Sequence, residues 1–283
     1  MAEATDISEF SRRRWAIIGA GRVGKTLGLL ARRLGIDVVA TWNRTEEAAR
    51  GVEELLAPGQ ARHEPLGTVA HELLEPADVV WVTVIDSVIG ETAREIAAAI
   101  HPEQFVLHTS GSLGSGVLTE AGVSSPVASL HPLQAITDSQ RAVDVLADVA
   151  WSVEGDAPAV AYAKWLMGQI DVEPVEIDSS KKTLYHASAV TTANLLVALM
   201  DAAFQMGEAA GMSREEARAM MLPLARSCVE NLERQTTAQA LSGPVARGDQ
   251  ETIDRHVAAL DALGDEELVR IYQVLTGRAK RLK

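Results

Sequence analysis

The chain has 283 residues, 47% of them apolar, which is enough for two domains with a core each. Its 39 acidic and 26 basic residues give a formal net charge of −13, the wrong sign for broad attraction to nucleic acid or an anionic membrane. The opening MAEATDISEFSRRRW carries charge without an apolar core, and no later stretch approaches the roughly 18 uninterrupted apolar residues of a membrane span. These features predict a soluble, cytoplasmic protein without an export signal. The one cysteine, Cys228, has no Cys/His cluster around it, so it reads as a buried thiol and no metal site is expected.

From Arg13 to Ile177, short Val- and Ile-rich runs alternate with helical patterns and turn residues. The runs are RWAIIGA, DVVATWN, DVVWVTV, FVLHTS, PVASL, WSVEG and VEPVEI. Continuous apolar strands spaced by crossover segments predict an α/β fold with a mostly parallel sheet covered on both faces. The later runs are open to a second reading, as antiparallel edge strands. No Gly or Pro interrupts Asp178 to Met206, which predicts one helix of about 29 residues, roughly 44 Å long, capped by Asp178 or Ser179. Further helical segments follow, around SREEARAMMLPLARSCVENLERQ, DQETIDRHVAALDAL and DEELVRIYQVLTGRAK. The expected division is a Rossmann-like domain over 11–177 and an all-α domain over 178–283. So long an apolar helix needs cover on more than one side, which points to a homodimer through the helical domain.

AIIGAGRVG places Gly19, Gly21 and Gly24 as G-x-G-x-x-G between a strand and a helix, with Ala20, Arg22 and Val23 between them. The first glycine allows the tight turn, the second lets backbone approach a pyrophosphate, and the third allows helix against strand. The helix start then offers free N–H groups to phosphate. An NAD site would carry a carboxylate about 20 residues on, but Asn43, Arg44 and Thr45 stand there. A charged fork with two small hydrogen-bonding side chains suits a 2′-phosphate, so NADP(H) is the expected cofactor.

In such sheets ligands lie beyond the carboxyl ends of strands. ADVVWVTV ends at Val84 and Ile85, whose backbone would border the cofactor, and the next residue, Asp86, reads either as a helix cap or as part of that border. FVLHTSGSLGSG supplies Ser110, Gly111 and Ser112, able to hold a carboxylate or a polarised carbonyl oxygen, although Ser and Gly are also ordinary turn formers. His131, before Pro132, stands at another strand end as a candidate substrate contact or a structured turn.

The ordered set G-x-G-x-x-G, NRT, HTSGS, SLHPLQ, KTLYHASAV and LSGPVARGD resembles a family of two-domain reductases, with a Rossmann-like N-terminal domain and a helical C-terminal domain long catalogued as of unknown function. The family lies near the 6-phosphogluconate dehydrogenase, β-hydroxyacid dehydrogenase and pyrroline-5-carboxylate reductase superfamily, and the likeness runs from about Arg13 to Leu260. Some members serve as alternative ketopantoate reductases in pantothenate synthesis. The resemblance implies an NADPH-dependent reductase of a small 2-oxo acid, with 2-dehydropantoate the leading substrate. It places the glycine fingerprint on Gly19, Gly21 and Gly24, the NADP loop on Asn43 to Thr45, and the substrate segment on Ser110 and Gly111.

The superfamily's catalytic helix carries Lys followed four residues later by Asn; here His186 follows Lys182 at that spacing. Positions i and i+4 share a helical face, so the pair is the expected proton-delivery group, with Lys182 the favoured donor. Asn194, about 120° round the helix from Lys182, joins them only in a curved or wide site. LSGPVARGD offers Arg247 to a substrate carboxylate, or is a simple turn between helices. Imine reduction and a non-catalytic NADP-binding sensor or scaffold are the competing readings.

Overall fold

The computed structural model describes residues 7–53, 61–134, 136 and 138–283. Its contacts divide the chain into two compact units, one ending at Ala189 and the other running from Val190 to Lys283.

In the first unit the strands are β1 (Trp15–Ile18), β2 (Val38–Trp42), β3 (Ala61–Arg62), β4 (Val79–Val82), β5 (Phe105–His108), β6 (Val127–Pro132), β7 (Trp151–Gly155) and β8 (Val175–Glu176). They form one sheet in the order β3-β2-β1-β4-β5-β6-β7-β8. Every pair is parallel except β6 with β7, so the last two strands, β7 and β8, run antiparallel to the other six, as the alternative reading of the later runs has it. The seven expected strands are present, and β3, only two residues long, is added.

The helices between them are α1 (Arg22–Leu34), α2 (Glu46–Glu53), α3 (Leu66–Leu74), α4 (Asp86–Ile96), α5 (Gly116–Glu120), α6 (Ser139–Asp144) and α7 (Ala157–Gly168). Alternate residues of the central strands feed opposite cores. Trp15, Ile17, Trp81 and Leu107 pack in one, while Ala16, Ile18, Val80, Val82 and Val106 pack in the other. Burial on both faces is why these strands read as unbroken apolar runs. The buried Trp15 indole keeps its N–H satisfied by donating to the Tyr162 hydroxyl at 2.6 Å.

The expected single helix from Asp178 is in fact three pieces. Asp178 accepts from the Ser180 backbone N–H and caps a 3-10 turn, Ser179–Lys181. Then come α8 (Lys182–Thr192) and, after a break at Ala193 with φ −101° and ψ −76°, α9 (Asn194–Ala209). The break follows Val190, Thr191 and Thr192, three stiff β-branched residues that weaken the helix there.

The second unit continues with α10 (Arg214–Leu232), α11 (Thr237–Ala240), α12 (Gly243–Arg247), α13 (Gln250–Asp261) and α14 (Glu266–Lys280). Their starts are chemically marked: Ser213 and Glu216 form a capping box, and Asp249 and Asp265 cap α13 and α14. LSGPVARGD is a short helix, α12, stopped by Gly248 in the left-handed conformation at φ 73°. Cys228 is exposed rather than buried, because α10 carries most of its surface outward and Ala217 is its buried contact.

Candidate active site

Gly19 turns the chain out of β1 with φ +88°. A Cβ there would lie 2.5 Å from Val84 Cγ1, and one at Gly24 would lie 2.7 Å from both the Gly19 carbonyl oxygen and Thr83 Oγ1. The Thr83 hydroxyl donates to that same carbonyl at 2.7 Å, tying the turn to the end of β4. At Gly21 the nearest atom to an added Cβ is 4.0 Å away, so this glycine opens outward. Two glycines therefore serve packing and one serves approach. Gly21 also caps α1 without any side-chain hydrogen bond, which leaves the first-turn N–H groups available to an anion.

This turn sits at the wall of a cleft of about 730 Å³, at the β1/β4 boundary where strand order reverses. Gly19, Gly21, Asn43, Arg44, Thr45, Val84 and Ile85 line it, as do Trp42, Pro65, Leu66 and Thr83, which sequence reasoning passed over. Ala20, Arg22, Val23 and Gly24 are not on the wall; they build the turn and the helix start behind it. Arg44 is the one basic residue among the described residues lining the cleft. The Asn43 side-chain amide is buried and its Nδ2 has no hydrogen-bond partner, an unused donor at the rim. Ile85 is 67% exposed and gives an apolar face to a planar ring. A glycine cradle, free helix N–H groups, an orphan amide and a lone guanidinium together fit an NADP-type dinucleotide.

A second cluster adjoins the cleft. Asp86 does not cap α4; its carboxylate accepts from the Ser112 hydroxyl, joining the border after Ile85 to the Ser110–Ser112 loop. Ser110 Oγ in turn accepts from the N–H groups of Ser112 at 3.1 Å and Leu113 at 3.0 Å, holding the loop as a tight turn. Gly111 is the close-approach point. A Cβ here would lie 2.6 Å from His131 Nε2 and 2.7 Å from His186 Nδ1, so only glycine lets this loop reach both imidazoles. His186 Nδ1 is buried without a partner.

Register explains how the polar groups meet. His108 of β5 pairs with Ser129 of β6, Ser129 pairs with Glu154 of β7, and His131 pairs with Ser152. Lys182, 2% exposed, descends from α8 onto this row and donates to Ser129 Oγ and, at 3.1 Å, to Glu154 Oε1. Glu154 is the hub: it also accepts from Ser115 N–H and Oγ, each at 2.8 Å, and from Ser179 Oγ at 2.6 Å. One carboxylate thus fixes the loop after β5 and the start of α8 together. Burial alone would raise the Glu154 pKa, but Ser179, Lys182 and Ser115 outweigh it and hold the carboxylate below its ordinary range. Burial pushes Lys182 below the usual lysine range, with Glu154 opposing. Burial, then the Lys182 charge, bring both His108 and His131 down to about 4, so both rings are neutral near pH 7.

Of the expected residues, the structure brings Ser110, Gly111, Ser112, His131, Lys182 and His186 together. Asn194 begins α9 and Arg247 ends α12, both exposed and both in the second unit. Glu154, Ser129 and Tyr185 were not foreseen. The available signal was polar alternation within apolar strands: Ser129 with His131 in β6, and Ser152 with Glu154 in β7.

Fold and site together define a Rossmann-type dinucleotide-binding architecture with a polar cluster beyond the carboxyl ends of its strands, followed by a helical domain. Residues 1–132 match the family described as a Rossmann-like domain, and residues 149–279 match the domain of unknown function DUF2520. The chain thus joins a Rossmann-like domain to a DUF2520 domain. No curated protein matches it. Among solved structures it is similar to a protein from Bacteroides fragilis described as a candidate NADP oxidoreductase, at 23% identity and TM-score 0.75, over 96% of this chain and 99% of that one. A Thermotoga maritima protein is similar at 22% identity and TM-score 0.74, over 95% and 97%. A reductive aminase from Aspergillus terreus, in complex with NADPH and ethyl-5-oxohexanoate, is similar at 15% identity and TM-score 0.67, over 95% and 94%. At these identities the likeness is one of fold.

Two outcomes follow from the buried charges. Glu154→Gln leaves the Lys182 ammonium without its counter-charge and should cost about 3–5 kcal/mol in urea unfolding, part of which the double variant Glu154→Gln/Lys182→Met recovers. His108 has a folded pKa of about 4 against an ordinary 6.5, so the unfolded chain takes up the proton first. The stability from its neutral ring is complete above about 6.5 and is lost as pH falls towards about 4. Across that window His108→Gln should flatten the pH dependence of unfolding by about 1.4 kcal/mol per pH unit.

Proposed function

We propose that the protein is a cytoplasmic NADPH-dependent reductase of a small 2-oxo acid, with 2-dehydropantoate the leading substrate. The observation that carries this reading is the meeting of the Ser110–Gly111 loop, His131, His186 and Lys182 beside a glycine-cradled cleft. Gly19 to Gly24 hold the pyrophosphate, Asn43, Arg44 and Thr45 hold the 2′-phosphate, and Val84 and Ile85 border the nicotinamide side. When bound, the cofactor supplies a hydride to the carbonyl carbon.

The protein's task is to manage charge and proton at the carbonyl oxygen. Ser110, Gly111 and Ser112 position the substrate. Lys182 spends two N–H bonds on Ser129 and Glu154 and keeps one proton to give; its lowered pKa is the direction a donor near neutral pH needs. His186, with an unpartnered Nδ1 at the same loop, shares that delivery. The exposed Leu195, Val197, Leu224 and Leu232 of α9 and α10 make that domain the seat of a homodimer. The stretch Ser179–Ala209 is long and apolar enough to cross a membrane, yet that same composition suits a helix covered by a second copy. Imine reduction is the second reading, favoured by the likeness to the reductive aminase.

Purified protein should oxidise NADPH with 2-dehydropantoate and not with cyclic imines; the reverse preference establishes the second reading, and no turnover of any 2-oxo acid overturns the first. Arg44→Ala should raise KM for NADPH about 10–100-fold with little change for NADH. His186→Ala and Lys182→Gln should each lower kcat by about 10²–10⁴ while NADPH affinity holds. Sedimentation should give twice the 30.2 kDa chain mass.

A further inference from the structure

His131 makes two different contacts with its two ring nitrogens. Nδ1 lies 3.0 Å from the Tyr185 hydroxyl, and the two rings meet edge to face with centroids 5.8 Å apart. Nε2 lies on the Gly111 side, against the loop assigned to the substrate. A neutral imidazole carries one proton, and whichever nitrogen accepts a hydrogen bond leaves the proton to the other.

The environment decides which nitrogen that is. Burial pushes the Tyr185 phenol upward against a contact with Ser152 that lowers it, so Tyr185 keeps its proton, and its hydroxyl, 3.0 Å from Nδ1, is placed to donate there. The groups facing His131 are Lys182, His186 and Tyr185 from α8, and Asp86 from α4. Burial first, then the charge of Lys182 and the neighbouring His186, disfavour an imidazolium, and the Asp86 carboxylate opposes them without prevailing. The ring is therefore neutral, and a hydrogen bond donated by Tyr185 to Nδ1 puts its one proton on Nε2.

We propose that Tyr185 is a positioning residue that fixes His131 as the Nε2–H tautomer, and that this neutral ring donates a hydrogen bond to the substrate carbonyl oxygen at the Ser110–Gly111 loop. The inference rests on the reductase reading above and narrows its substrate class. A carbonyl oxygen has lone pairs to accept from Nε2–H throughout hydride transfer. A protonated imine presents an N–H of its own, which would meet the His131 donor head-on with nothing to accept it. The tautomer thus selects C=O over C=N–H⁺. It also separates two duties: His131 polarises the oxygen without changing protonation state, and the proton comes from Lys182 with His186.

The test uses the full chain labelled with ¹⁵N-histidine, whose long-range proton–nitrogen spectra distinguish protonated from unprotonated ring nitrogens. His131 should hold the Nε2–H form from pH 8 down to about pH 5, and Tyr185→Phe should abolish its dominance. In turnover of a 2-oxo acid, Tyr185→Phe should lower kcat about 10-fold or more with NADPH affinity unchanged. His131→Gln, which keeps an N–H near the Nε2 position, should retain at least about 10-fold more kcat than His131→Leu. An Nδ1–H or charged ring in the wild type overturns the proposal whatever the protein reduces, as does Tyr185→Phe with tautomer and kcat both intact. An Nε2–H ring in a protein that reduces imines but no carbonyl overturns the substrate contact, while the Tyr185–His131 pair stands.

Discussion

The buried pair of Lys182 and Glu154 is the constraint from which the site is organised. Both side chains are 2% exposed, and charges that far from water cost several kcal/mol each unless paired and hydrogen-bonded. Glu154 meets that demand by accepting from three residues in two segments that lie far apart in sequence: Ser115 after β5, and Ser179 and Lys182 at the entrance to α8. The requirement to satisfy one carboxylate therefore sets the position of the segment after β5 and of the start of α8. A well-packed apolar pair would hold the same elements at no electrostatic cost. Keeping charge there is intelligible if the ammonium has work to do beyond packing, and its neighbours are consistent with that.

The two halves of the site use glycine for opposite ends. In the cleft, Gly19 and Gly24 draw backbone and helix together so that phosphate can approach at Gly21. In the polar cluster, Gly111 removes the side chain that would hold the loop away from His131 and His186. Asp86 and Ser112 join the halves, since the residue following the cleft wall accepts from the Ser110–Ser112 loop. The cleft and the Ser110–Ser112 loop lie beyond the carboxyl ends of parallel strands, whereas Ser129, His131 and Glu154 lie within β6 and β7.

Local chemistry was legible in the sequence and long-range pairing was not. G-x-G-x-x-G is readable because a positive φ at Gly19 and tight contact at Gly24 are requirements of a few consecutive residues. Asn43 and Arg44 are readable because their distance from that turn is fixed by one helix and one strand. The seven apolar strands are readable because both faces are buried, and the cap Asp178 because capping is local. Glu154 was not, since its importance depends on β7 running antiparallel to β6 in the register that sets it opposite Ser129. Tyr185 was passed over for the same reason: its meaning comes from His131, 54 residues earlier. The break at Ala193 and the outward Cys228 depend on packing that composition does not encode. Helical texture begins at Asp178, whereas contacts keep most of α8 with the sheet until Ala189, because Lys182 anchors it there.

The charge of Lys182 also orders the acids and bases around it. It depresses His108 and His131 through space, after burial, so two histidines in a site that handles negative charge are kept uncharged. That arrangement has a consequence for catalysis. With His108 and His131 neutral, these two rings act as dipoles beside an ammonium paired with Glu154. Dipoles fixed by the fold stabilise an oxygen most when its charge is greatest and do not bind a carboxylate elsewhere in competition, whereas three loose cations would. The same economy keeps a carboxylate–lysine pair buried in the sheet: it sets one ammonium among neutral hydrogen-bond donors, and through Glu154 it ties the position of that ammonium to the segment after β5.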